Sequence, residues 1–310
     1  MSATLTRRAW LAGAVSAAAA ARGLTALAQP PSAGGLDVAE LTERVAVISG
    51  AGANVTVVRT PAGLALVDAG SPERTADLLE LLSRRWPGVP VREVFNTNWR
   101  PEHTGANAAL RESGARIRAH ENTRLWMGAE FDVQWAGYRH ERRAPAALPT
   151  DTFYDSGSVD LGGVTLRWGH LPRAHTDGDI YVAVPDDDVV VASDLLAVEG
   201  WPVVDFETGG WIGGMVEATR ALLGAAGSAT RIVPAAGGAV TREALETQLD
   251  LCTAAMEQVA ETYRAGGTLE DFLAAEPLAA FEGVRGDPKS FLVLVYQGAY
   301  YHVRQLGGII

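Results

Sequence analysis

The stretch Asn96-Thr97-Asn98-Trp99-Arg100-Pro101-Glu102-His103-Thr104-Gly105 decides how this chain is read. The apolar run Val91 to Phe95 leads into it, and a helix-like run starts at His103, so the stretch is a loop between a strand and a helix start. Such loops commonly build metal sites, which need imidazole and carboxylate side chains converging on one point. Only Glu102 and His103 are of those types here. Asn98 and Arg100 stand where alternation along the loop would put two further ligands, and an arginine is charged at any physiological pH.

Three other blocks work outward from this loop. Leu64-Ala65-Leu66-Val67-Asp68-Ala69-Gly70 is an apolar strand that ends in an aspartate. Ala174-His175-Thr176-Asp177-Gly178-Asp179 is a polar loop, and Ser193-Asp194 closes the apolar run Val189 to Ala192. In order and spacing, from about Leu36 to Val240, these blocks resemble the metallo-β-lactamase superfamily, whose motif reads Thr-His-x-His-x-Asp-His-x-Gly. Thr97, His103 and Gly105 match that motif, Glu102 replaces its Asp, and Asn98 and Arg100 replace its two leading His.

The resemblance implies a two-zinc hydrolase in which three His hold one ion, while an Asp, two His and a bridging Asp serve the second. Of the first set this chain keeps His175. Of the second it keeps Glu102, His103 and Asp194, while Ala236, in Pro234-Ala235-Ala236-Gly237, takes the place of the last His. The donors His103, His175, Asp194 and Glu102 would then hold one zinc ion or none, with Asp68 and Asn98 orienting the loop by hydrogen bonds. Arg100 and Glu102 are the candidate catalytic groups. Arg100 has three readings: it opposes a neighbouring cation, it neutralises Glu102 or Asp194, or it clamps an anionic ligand. Among the other histidines, His120 and His170 lie near strand ends, and His140 and His302 read as solvated or structural. Asp177 and Asp179 read first as turn formers. No nucleophile elbow, phosphate loop or dinucleotide fingerprint stands in a suitable context.

The first residues read as an export signal. Thr6-Arg7-Arg8-Ala9-Trp10-Leu11 is a twin-arginine pattern, an Ala-rich segment follows, and Ala26-Leu27-Ala28 offers a small-x-small cleavage site. The apolar part is short of the roughly 20 residues that a spanning helix needs. Residues 1–28 are therefore expected to be removed and the rest to reach the periplasm by the twin-arginine route. The full chain has 26 Lys+Arg against 37 Asp+Glu, and losing Arg7, Arg8 and Arg22 would leave a net charge of about −14. That balance argues against nucleic acid and anionic membranes as partners and leaves a small-molecule ligand or substrate. The one cysteine, Cys252, sits in an apolar-periodic helical segment and reads as a core filler.

After a linker at 29–36, strand signals dominate. Val55–Arg59 and Leu64–Val67 flank a turn; Ser71 and Pro72 open a helix to about Arg85, and a further helix runs from His103 to about Ser113. The aromatic-rich segment 121–149 reads as helical stretches packing inward, with a lid or substrate wall as the functional alternative. Residues 159–192 bring two more hairpins, and a helix and a strand follow near Trp211 and Arg231. Two βα halves of this kind make an α/β fold, a four-layer α/β/β/α sandwich spanning 37–240. Residues 241–310 form a helical extension that packs on the sandwich or makes a homodimer surface. The expected function is that of an exported hydrolase-like protein with at most one metal and weak or absent hydrolysis of an ester, thioester or lactam-type carbonyl. The alternative is a non-catalytic periplasmic binding or scaffold protein whose cleft takes an anionic ligand.

Overall fold

A computed structural model describes residues 34–281 and 285–305, so Arg7, Arg8 and the cleavage site lie outside the described residues. The first half builds a seven-stranded sheet. Strands β1 (Asp37–Glu40), β2 (Val45–Ser49), β3 (Val55–Thr60) and β4 (Gly63–Val67) form an antiparallel meander. Strands β5 (Val91–Phe95), β6 (Arg116–His120) and β9 (Asp151–Phe153) then add in parallel. Helix α1 (Thr75–Arg85) connects β4 to β5; α2 (Pro101–Thr104) and α3 (Asn107–Glu112) connect β5 to β6. The second half builds a five-stranded sheet from β10 (Gly157–Asp160), β11 (Thr165–His170), β12 (Ile180–Val184), β13 (Val189–Ser193) and β14 (Arg231–Pro234), with α5 (Ile212–Ala225) crossing from β13 to β14.

Three apolar layers define the sandwich. Leu78, Leu81 and Leu82, spaced i, i+3, i+4 on α1, pack with Leu110 against Ile48, Val55, Leu66 and Val94 on the outer face of the first sheet. Between the sheets, Val47, Val58, Val67 and Phe95 meet Leu166, Trp168, Val182 and Val191. Beyond the second sheet, Val190, Ala192 and Ile232 face α5 and the helices α6 (Arg242–Arg264), α7 (Leu269–Ala274) and α8 (Lys289–Gln305). The order is therefore helix, sheet, sheet, helix, as expected. Each fully buried leucine or valine contributes about 1.5–3 kcal/mol relative to exposure.

Cys252 is buried in the helical layer, and burial pushes its thiol up to about 12. Gln248 of α6 reaches inward: its side-chain oxygen accepts from Ala197 N at 2.9 Å, and its amide nitrogen donates to Leu195 O. This ties the helical layer to the loop that leaves β13. Thr268 and Asp271 form a reciprocal capping box at the start of α7.

Three local expectations differ. Ser71 makes no side-chain cap, and a 3-10 turn, Pro72–Arg74, precedes α1. The helix expected from His103 to Ser113 is broken between α2 and α3, because Gly105 N donates to Gly70 O and Ala106 N to Ala69 O instead of continuing the ladder. The segment 121–149 holds one α-helix, α4 (Glu121–Met127), then a separate two-stranded hairpin, β7 (Phe131–Val133) and β8 (Tyr138–His140), and a 3-10 turn at Pro145–Ala147. Its aromatics do pack inward: Trp126 and Phe131 stack edge-on, and Phe131 meets Trp99 of the motif loop. Of the two readings of His140, solvated or structural, the structural one holds: it is buried against Trp99 and Phe131.

Candidate functional site

The site lies where the ends of β4, β5 and β13 converge. Asp68 follows β4 with φ of +65°, a left-handed conformation that aspartate tolerates better than most residues. It turns its carboxylate under the motif loop. Oδ1 accepts from Thr97 N at 2.8 Å and from Thr97 Oγ1 at 2.9 Å. Oδ2 accepts from Ser193 Oγ at 3.0 Å and lies 2.9 Å from His103 Nδ1. All four residues are buried. The motif loop is thus held from below by one carboxylate with a donor for each lone-pair direction.

Asp194 follows β13 on the other side of His103. Its Oδ2 lies 2.8 Å from His103 Nε2 and accepts from Asn98 Nδ2 at 3.0 Å; His175 Nδ1 lies 3.8 Å away. His175 is also 3.4 Å from Asp179 Oδ1, and Asp179 is fixed by Thr176 N (2.6 Å) and Thr176 Oγ1 (2.8 Å). Burial works against a charge on His103, but Asp194 and Asp68 outweigh it and hold its pKa well above the ordinary value. Burial opposes the His175 cation too, and Asp194 with Asp179 overcomes it, again raising the pKa. Burial would raise the pKa of Asp194, yet His103 and His175 hold it well below the carboxylate range.

Arg100 forms the third part. Asn98 Oδ1 accepts from Arg100 N at 2.9 Å and sets the turn. Arg100 Nε and Nη2 lie 2.7 and 2.6 Å from Glu102 Oε1, so one edge of the guanidinium is engaged. Its Cζ stands 5.1 Å from the centre of the Trp135 ring. Trp135 Nε1 donates to Asp205 Oδ1 at 3.0 Å, and Thr208 Oγ1 donates to Asp205 Oδ2 at 2.7 Å while accepting from Trp99 Nε1 at 3.1 Å. Burial disfavours the Arg100 charge, but Glu102 leads a group of acidic neighbours that outweighs it and raises the pKa. Glu102 is held below its usual pKa because Arg100 and His103 overcome its own burial.

Several buried polar atoms of this region have no hydrogen-bond partner among the described residues: Arg100 Nη1, Tyr138 Oη and His175 Nε2. The side chains of Glu102 and Asp194 are 34% and 25% exposed, so the cleft opens to solvent at its acidic rim.

Glycines set how closely the loops approach. A side chain at Gly105 would collide with the backbone of Ser71 and Pro72, and one at Gly210 with the carbonyl of His175. The His175 loop rests on the Gly209–Gly214 run and the residues just before it: Trp211 N donates to Arg173 O, and Asp205 N to His175 O.

Of the residues expected at a metal, His103, His175 and Asp194 come together. Glu102 is taken up by Arg100, and Asp68 and Asn98 contact the loop and Asp194 as described. Arg100 pairs with Glu102 and makes no ion pair with Asp194. These residues do not fit a zinc ion as they stand. Two ligands on a tetrahedral zinc, each about 2.0–2.1 Å from it, are roughly 3.3 Å apart, whereas His103 Nε2 and Asp194 Oδ2 touch at 2.8 Å. Among the described residues, no group of three or more His, Cys, Asp or Glu is arranged to hold a metal ion.

Sequence reasoning did not assign Ser193, Asp205, Thr208, Trp135 or Tyr138 to the site. Ser193 carried a signal, standing beside Asp194 at a strand end. The others arrive from distant segments through packing that no local pattern announces. His120 and His170 lie outside the cluster and stack on each other at 3.8 Å.

The family model described as "Metallo-beta-lactamase superfamily" matches residues 49–290. Among solved structures, a metallo-beta-lactamase from Pontibacter korlensis is similar at 18% identity with a TM-score of 0.59, over 70% of this chain and 99% of that one. A double mutant of the sec-alkyl sulfatase PisA1 is similar at 15% identity with a TM-score of 0.67, over 88% of this chain. This chain spans about half, 51%, of that sulfatase.

Proposed function

The chain belongs to the metallo-β-lactamase superfamily, and from that premise we propose that its centre holds at most one metal ion and does not run a two-metal hydrolysis. The observation that carries this reading is the surroundings of Asp194. In the family this carboxylate would bridge two cations; here Asn98, His103 and His175 surround it with protein nitrogens at 3.0, 2.8 and 3.8 Å. Asn98, Arg100 and Ala236 stand where imidazoles would complete the ligand sets. The Arg100 guanidinium adds a fixed positive charge that opposes a cation in the same cleft.

A zinc titration with elemental analysis tests this. The native chain is expected to bind no more than one zinc, and Asn98→His, Arg100→His and Ala236→His together to raise zinc affinity. Two tightly held ions on the native chain, or turnover of a β-lactam at rates of roughly 10 per second, would overturn it.

One observation favours a second reading, a non-catalytic protein that uses the cleft for an anionic ligand: the free corner of Arg100. We further propose export to the periplasm by the twin-arginine route, supported by Arg7, Arg8 and Ala26-Leu27-Ala28. Lys at both arginine positions is expected to keep the protein in the cytoplasm; unchanged periplasmic yield of that variant counts against the route.

A further inference from the structure

We propose that the β7–β8 hairpin is a lid over Arg100, latched at its tip by Glu207, and that a proton on Glu207 keeps it shut. This goes beyond the metal and ligand readings above and depends on neither. The hairpin is a sheet of its own and pairs with neither large sheet among the described residues. Its base is pinned, because Arg143 N donates to Met127 O at 2.9 Å, so the chain leaves and returns at one place. From there it lies across the motif loop. Phe131 and His140 meet the Trp99 ring at 5.2 and 4.9 Å, and Trp135 faces the Arg100 guanidinium at 5.1 Å. With Trp135 in place, Arg100 is 6% exposed. A short element anchored at its base and laid over a charged group has the build of a lid.

Two carboxylates of one turn hold the tip. Gln134 N donates to Glu207 Oε2 at 2.8 Å, and the next residue, Trp135, donates through Nε1 to Asp205 Oδ1 at 3.0 Å. Asp205 and Glu207 are two residues apart at the 3-10 turn Phe206–Thr208, so both acids stand under adjacent residues of the hairpin. The two holds differ. Asp205 is buried, and its second oxygen accepts from Thr208 Oγ1 at 2.7 Å. Glu207 is half-buried and holds its main-chain N–H at the solvent edge. Ionised, it adds a further negative charge beside Asp205 and the hairpin's own Asp132. Arg139 of β8 is already paired with Asp132 at 2.9 Å, and Arg100 with Glu102 at 2.7 Å. The other ionisable groups on packed elements are Tyr138 of β8, Tyr301 of α8 against Phe206, and His302, which stacks on Trp211 beside Arg173. Burial, then Asp205, push Glu207 up to about 7. The closed lid thus holds the proton more tightly than an open one, in which Glu207 returns to water. Opening grows as pH rises from about 4.5 to about 7 and changes little above that. It is a rapid pre-equilibrium that sets the accessible fraction of Arg100, not a slow step.

The test is hydrogen–deuterium exchange on the full chain at about pH 5.5 and about pH 8, corrected for intrinsic exchange rates. Protection of the hairpin amides is expected to fall at least about tenfold between the two, while amides of β12 keep theirs. Glu207→Gln keeps an acceptor for Gln134 N without the charge, and its hairpin is expected to stay protected at both pH values. An arginine-selective dicarbonyl gives the second readout. Labelling of Arg100 relative to exposed Arg84 is expected to rise by a similar factor in the native chain and to stay flat in Glu207→Gln. Hairpin protection that does not change with pH, or that changes equally in Glu207→Gln, overturns the latch. Labelling of Arg100 that stays flat while the hairpin opens overturns the lid.

Discussion

The two sides of the cleft are built on opposite principles. Beneath the motif loop, Asp68 meets Thr97, Ser193 and His103, and the oxygens of that carboxylate are all used. Across the loop, Arg100 uses one edge on Glu102 and leaves Nη1 unpartnered among the described residues. Both sides are buried, so exposure does not account for the contrast. The Asp68 side is complete without anything bound and serves to hold the loop. The Arg100 side keeps one guanidinium nitrogen without a protein partner among the described residues.

Breaking the satisfied side is expected to have the larger effect. Asp68→Ala leaves His103 Nδ1 and the Thr97 backbone N–H without their carboxylate in the interior and is expected to cost about 3–5 kcal/mol by denaturant unfolding. A loss under about 1 kcal/mol would mean that the network does not hold the loop.

The next effect contrasts histidines with and without acids. His103 has a raised pKa, so its contribution is full below about pH 6.5 and is lost as pH rises through the folded value. Asp194 has a lowered pKa, so its share is present above about pH 4 and is lost in stronger acid. His120 runs the other way. Burial beside His170 lowers its pKa to about 4, so the unfolded chain takes up a proton first and stability drains away as pH falls from about 6.5 to 4. His120→Asn keeps an acceptor at the start of α4 and is expected to remove about 2–3 kcal/mol of that acid loss. An unchanged acid limb of the stability–pH curve would show that His120 does not titrate in this range.

The smallest of these effects is expected at Arg100. Arg100→Ala strands Glu102, but that carboxylate is 34% exposed and water can take over part of the guanidinium's role. The cost is expected to be about 1–2 kcal/mol, between an exposed and a buried pair. A thermal melt indistinguishable from the parent would place the guanidinium outside the stabilising network.

The α/β/β/α layering was legible because period-2 and i, i+3, i+4 patterns report burial directly, as Leu78, Leu81 and Leu82 illustrate. Asp68, Asn98, His103, His175 and Asp194 were legible because they sit in motif blocks of recognisable order. The partner of Arg100 was narrowed to Glu102 or Asp194, and loop geometry decides for Glu102. The β7–β8 hairpin was hidden: Phe131–Val133 and Tyr138–His140 are too short to show alternation, and their aromatics read as readily as a helical stripe. With the hairpin, the place of Trp135 under the guanidinium was hidden too.

The backbone contacts at Gly105 and Gly210 bear on rates. Loops seated directly on neighbouring main chain have little conformational freedom left to lose, so a ligand arriving here meets groups already in position. Binding should then follow a single exponential whose observed rate rises linearly with ligand concentration, with no plateau from a slow rearrangement. A side chain forced in at Gly210 would lift the His175 loop from its seat and make the reshaping of that loop the slow step.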